Sequence, residues 1–274
     1  AWAARRWVEP RIDPAAVRVE LQCLVEMARF TLRHRRYGTI AVVLLAASIP
    51  AWRERRPLRA GYCFLQLVDD WLDGDRPCDE EPLDRVESLR DEIRSRAWSD
   101  RPASWLAAAV VADLAPADVD RLVALLATMA VDRRRRLARA LWTADALDAH
   151  HRATFGGSVD LLLAGVRSRV RSDQLPDLLD AFGVVSTLRD LREDLASGLC
   201  NAPAEVVGST PWDALDGTPA FEAWKGSQIA RGRAALARAG AQLEQVDAPA
   251  RRALAGFVSS MGARLDRAAA EGAR

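Results

Sequence analysis

Residues 62–75 read YCFLQLVDDWLDGD, an apolar stretch that passes into four aspartates with no strand-like alternation. At 100° per residue it sorts into two faces of one helix. Phe64, Leu65, Leu67, Val68, Trp71 and Leu72 share a broad apolar side, and Tyr62, Gln66, Asp69 and Asp73 form a polar stripe opposite. Gly74 and Pro77 close the helix. An amphipathic helix of this kind needs other helices to cover its apolar side, and the rest of the chain is built to supply them. Ala, Leu, Arg and Glu dominate, apolar residues recur at helical spacing, and runs of β-branched residues at period two are scarce.

The expected architecture is all-α, with helices at about 14–36, 61–73, 82–97, 103–113, 117–150, 154–171, 175–197, 219–246 and 248–271. No repeat or low-complexity linker divides the 274 residues, so one domain over 1–274 is expected. The least regular stretch, CNAPAEVVGSTPWDALDGTP (200–219), reads as a functional flap or a mobile segment. DRRRRLAR (132–139) reads as a solvated helix face. Trp71 falls on the apolar face and reads as core.

Lys and Arg total 39 against 38 Asp and Glu, a net charge of +1, which offers no basic surplus for nucleic acid. Four cysteines without CxxC spacing and three histidines leave little for a zinc site, and the thiols read as free in a reducing, cytoplasmic setting. AWAARRWVEPR (1–11) lacks the apolar core of a signal peptide. The most apolar run, Thr39–Pro50, is too short to span a bilayer and reads as a buried helix. No transmembrane segment is expected, and peripheral membrane contact is left open.

Asp69 and Asp73 point the same way with no basic residue three or four positions off within the helix to neutralise them, so they repel unless a cation sits between them. An acidic surface stripe is the plain alternative. STLRDLREDLASG (186–198) repeats the pattern, however: Asp190 and Asp194 share a stripe with Gly183 and Thr187, small residues first and carboxylates last. Small side chains leave room for something bulky and apolar along the helix. If the two helices face each other, four carboxylates can hold Mg²⁺, a hard ion that takes oxygen ligands, and the guest that suits such a cluster is a diphosphate. Its hydrocarbon would lie among the helices, shielded from water. His150 and His151 are candidates for a base that removes a proton from a cation or an acceptor. Arg231 and Arg233 are candidates to reach phosphate oxygens.

YCFLQLVDDWLDGD resembles the first aspartate-rich motif of the squalene/phytoene synthase family, usually Tyr-x-x-x-Arg-x-x-Asp-Asp-x-x-Asp. STLRDLREDLASG resembles its second, usually Asn-x-Leu-Arg-Asp-x-x-x-Asp, at a similar separation. ASIPAWRERRPLRAGY (47–62) is similar to the segment leading into the first motif and FGGSV (155–159) to the central helix, so the resemblance covers about residues 25–270. It implies an isoprenoid-synthase bundle with a central cavity, Mg²⁺ as cofactor, an allylic prenyl diphosphate as substrate and a second small-molecule substrate. Carried over residue by residue, Asp69, Asp73, Asp190 and Asp194 would be the catalytic metal ligands. Tyr62, Gln66, Ser186, Thr187, Arg189 and Phe155 would line the substrate, and His151 stands where a tyrosine is usual.

The departures bear on the acceptor. Gln66 replaces the first motif's Arg, Ser186 replaces a metal-binding Asn, and RYGTIAVVLLAASIP (36–50) lacks the His/Ser-x-Ser-Phe signature expected there. Tyr37 and Tyr62 are the only tyrosines. Fewer contacts for a second diphosphate incline the reading to transfer onto a non-prenyl, aromatic acceptor. Head-to-head condensation of two prenyl diphosphates, a terpene cyclase and a non-catalytic helical interaction protein are the alternatives.

Overall fold

The computed structural model describes residues 13–33, 42, 44–45 and 48–272. Among them are ten α-helices and no strand. They are α1 (Pro14–Arg33), α2 (Arg56–Asp73), α3 (Pro82–Ser95), α4 (Pro102–Val111), α5 (Pro116–Ala138), α6 (Ala144–Gly165), α7 (Pro176–Ser197), α8 (Ala204–Val207), α9 (Pro219–Leu243) and α10 (Ala248–Gly272). Six of these open on proline, whose fixed φ suits the first helical position and whose missing N–H is an orphan there anyway.

The chain divides into two compact units, 1–67 with 96–113 and 68–95 with 114–274. In the first, α1 packs on α4 and buries Val19, Cys23, Met27 and Phe30. Arg59 of α2 is fully buried there, and its guanidinium binds Glu20 at 2.8 Å and lies 3.7 Å over the Trp52 ring, so the charge is paired rather than stranded. The expected extension of α1 to residue 36 falls outside the described residues. So does most of the Thr39–Pro50 run, of which Val42 and Ile49 are exposed, against the buried helix expected.

In the second unit α5 packs on α3 and α6, while α7 packs on α6, α9 and α10. α7 is buried nearly all round because its apolar and small residues are not confined to one stripe: Leu178, Ala181, Val184, Ser186, Thr187 and Leu191 are all interior. Two expected helices, 117–150 and 154–171, are redrawn. Arg139 turns left-handed (φ 47°), ending α5, and the Thr143 side chain then accepts from the Ala146 N–H to cap α6, which runs on through Gly156–Gly157. Gly157 is no breaker here, because a Cβ at that position would stand 3.1 Å from Leu125 Cβ, so its absence lets α5 and α6 approach.

The 200–219 stretch is pinned rather than loose. Cys200, Ala202, Val207 and Leu215 are buried with Leu191 and Phe221 in a small core of their own. The Ala204 N–H also donates to Trp142 O at 2.7 Å. All four cysteines are free thiols.

Candidate active site

The last two turns of α2 and the C-terminal half of α7 bring four carboxylates of the second unit into one electrostatic cluster. Asp69 and Asp73 are exposed, and the protein packed beside them displaces part of their water. Loss of bulk solvation pushes the Asp69 carboxyl well above the usual range, and the charges of Asp73, Asp70, Asp132 and Asp190 add to it. Burial raises Asp73 in the same way, against the opposing Arg136 guanidinium. Asp194 is pushed up to about 7 by burial and by Asp190, with Asp73 contributing. Each motif therefore feels the other's charge.

The neutralising groups come from other positions than the helical neighbours searched in the sequence. Arg136 of α5 donates to Asp73 Oδ1 at 2.8 Å and, with Arg133, to the Leu72 carbonyl at the exposed end of α2. Cations there satisfy orphan carbonyls and the negative end of the helix dipole. Arg189 holds both oxygens of its neighbour Asp190, so it lies on a carboxylate rather than free for a diphosphate. Asn201 Nδ2 donates to Asp194 Oδ2 at 2.9 Å.

The run 132–139 is only in part the solvated face expected of it: Arg134, Leu137, Ala138 and Arg139 are exposed, whereas Arg135 turns inward. Arg135 is 3% exposed, bonded to Asp132, Asn201 and the Cys200 carbonyl and stacked 4.2 Å from the Trp142 ring. Asp132 accepts from His150 Nε2 at 2.9 Å. Burial works to raise the Asp132 carboxyl, but His150 and Arg135 outweigh it and hold it below the usual range. Asp132, Arg136 and Asn201 were not singled out from sequence. The DRRRR run carried a signal for the first two, whereas an isolated asparagine carries none.

His151, on α6, faces α7. Its Nε2 is 3.5 Å from Thr187 Oγ1, and a Cβ at residue 183 would lie 3.2 Å from its Cβ. The space left by Gly183 is therefore taken by an imidazole, not by open room for a guest. Burial, aided by the charge of His150, lowers His151 to about 4, so the ring is neutral at pH 7 and able to accept a proton. Beyond it the rings of Phe155, Phe182 and Phe257 follow at 4.2 and 4.5 Å, an apolar wall. A cavity of about 50 Å³ beside His151 is lined also by Asp148, Asp180, Thr187, Asn201 and Arg231.

Arg231 and Arg233 do not reach the carboxylates. Arg231 is held by Asp148 and Asp180, and Arg233 by Asp266. Tyr62 and Gln66, both half-buried, lie on the earlier turns of α2, in the first unit, where Tyr62 packs edge-on to Phe30. Ser186 is buried one turn before Asp190.

No three carboxylate, histidine or thiol groups among the described residues converge closely enough to hold a metal as they stand. The donor set nevertheless fits a hard divalent cation. It is all carboxylate, Asp69, Asp73 and Asp194 are raised in part by their acidic neighbours, Asp73 and Asp194 each use a single oxygen on a protein partner, and the buried Ser186 Oγ has no hydrogen-bond partner among the described residues. Asp190 would have to share or surrender Arg189.

No helix among the described residues is long and apolar enough to cross a membrane. No curated protein sequence matches the chain. The fold is similar to the crystal structure of squalene synthase HpnC from Alicyclobacillus acidocaldarius, with a TM-score of 0.70 at 18% identity over 94% of this chain and 97% of that one. At that identity the likeness speaks for the fold. The squalene/phytoene synthase family model matches residues 43–274, well over half of the sequence and both aspartate motifs. The chain belongs to the squalene/phytoene synthase family of prenyltransferases.

Proposed function

We propose that the protein ionises one allylic prenyl diphosphate and joins its hydrocarbon head to head with that of a second, residues 1–274 serving as one catalytic domain. The observation that supports this most is the electrostatic cluster formed by the two aspartate motifs, on a chain whose family acts on prenyl diphosphates. Asp69, Asp73, Asp190 and Asp194 would hold Mg²⁺, with Ser186 Oγ beside Asp190. When bound, the ions supply positive charge that offsets the charge of a departing diphosphate.

The chain's own residues do the rest. Arg136 and Asn201 hold Asp73 and Asp194 in place. His151, neutral and packed against Phe155 on one side, presents an imidazole that can take up a proton lost from a carbocation.

An aromatic acceptor, inferred from Gln66, Ser186 and the missing signature, has less support than head-to-head condensation, because the family match extends through both motifs to residue 274. The test is incubation with Mg²⁺ and separate C10, C15 and C20 allylic diphosphates, with diphosphate release and product masses followed. A hydrocarbon of doubled carbon number is expected. Release that requires an added aromatic compound, with a product carrying one prenyl group, would refute it.

A further inference from the structure

We infer that Asn201 is a positioning residue for Asp194, its amide aimed by a partly buried chain that runs Asn201–Arg135–Asp132–His150. The inference rests on the reading of Asp194 as a cation-binding carboxylate and deepens it.

The orientation of the Asn201 amide follows from donor chemistry alone. Arg135 has only N–H donors, and its Nη1 lies 3.1 Å from one terminal atom of Asn201, which must therefore be the carbonyl oxygen. The other terminal atom is then the NH₂, and it is this group that meets Asp194 Oδ2 at 2.9 Å. An amide turned the other way would set N–H against guanidinium and oxygen against carboxylate.

Arg135 itself cannot swing. Its Nη1 donates to Asp132 Oδ1 at 2.9 Å and its Nη2 to the Cys200 carbonyl at 2.9 Å, and its plane is covered by Trp142. Asp132 is fixed in turn by His150, whose ring meets the Trp142 edge at 5.4 Å. The backbone carrying Asn201 is clamped as well, between the fully buried Cys200 and Ala202. Asn201 thus holds one oxygen of Asp194 and leaves the other to face a ligand, on a mount braced from several sides. Preorganisation of this kind around a metal ligand changes affinity about 10–100-fold.

The test uses full-length protein stripped with EDTA and titrated with Mn²⁺, alone and then with inorganic diphosphate, the free ion being counted by its EPR signal. Asn201→Ala is expected to weaken Mn²⁺ binding about 10-fold. Asn201→Ser, too short to span from Arg135 to Asp194, is the second variant should alanine fail to fold, and gives the same loss. Asp194→Asn weakens binding too, and adding Asn201→Ala to it produces no further loss, because the effect passes through Asp194.

Asn201 variants that bind as the wild type does, or losses that multiply in the double variant, would overturn the inference while leaving the carboxylate site intact. If instead the wild type takes up no Mn²⁺ even with diphosphate, or Asp194→Asn binds like wild type, the site reading itself falls, and this inference with it.

Discussion

Replacing Asp194 by asparagine should make the metal-free protein more stable at pH 8 and leave it nearly unchanged in acid. The native carboxyl titrates near 7 against an ordinary 3.8, so between those values the native state holds a proton that the unfolded chain has released. By linkage the wild type then loses stability as pH rises from about 4 to 7, and the loss is complete above 7. The interval from 3.8 to about 7 corresponds to roughly 4 kcal/mol at pH 8. About half of that survives, because the side chain still meets water and the asparagine retains an oxygen for the Asn201 N–H.

A gain of about 2 kcal/mol raises the melting temperature of a chain this size by about 4–8 °C. Melting followed by circular dichroism in EDTA at pH 4.5 and 8 reads the difference directly. Other titrating groups are common to both proteins and cancel. A variant that melts below wild type at pH 8, or by the same margin at both pH values, would refute the reasoning.

Asp69→Asn and Asp190→Asn should each abolish diphosphate release from prenyl diphosphates without lowering the melting temperature, since repulsion is relieved as contacts are lost; normal turnover in both would remove the carboxylates from the mechanism. His151 runs the other way from Asp194. Its native value of about 4 lies below the ordinary 6.5, so stability falls as pH drops from about 6.5 to 4, by roughly 3 kcal/mol at most, and His151→Asn should flatten that limb of a pH–melting curve. Arg136→Met, which strips Asp73 of its partner and Leu72 of a donor, should cost about 1–2 kcal/mol in urea unfolding. Gly183→Ala drives a methyl to 3.2 Å from His151 Cβ and should cost about 1–3 kcal/mol, with turnover lost if the imidazole is displaced.

Helical periodicity and proline placement were enough to read an all-α chain and most helix starts, because both act within a few residues of themselves. The break at Arg139–Thr143 was harder: the sequence there keeps helical periodicity, and the left-handed turn is stabilised by contacts of Arg135 and Trp142 with residues some 60 positions on. The DxxxD stripes were legible for the same local reason, since spacing of four sets two carboxylates on one face whatever the surroundings. What became of their charge was not. Arg136 and Asn201 reach Asp73 and Asp194 from other elements, and Gly183, read as open space, is filled by a ring from α6.

By itself, then, the sequence determined the helical class, the order of the two acidic motifs and the family to which they belong, all of which reside in local spacing. Only the tertiary structure decided which carboxylates are tied and by whom, that Arg135 of the arginine run is buried, and that Arg231 and Arg233 are engaged elsewhere. Those outcomes depend on burial and on long-range pairing, where a guanidinium's partner is set by which helices pack together and not by its neighbours along the chain.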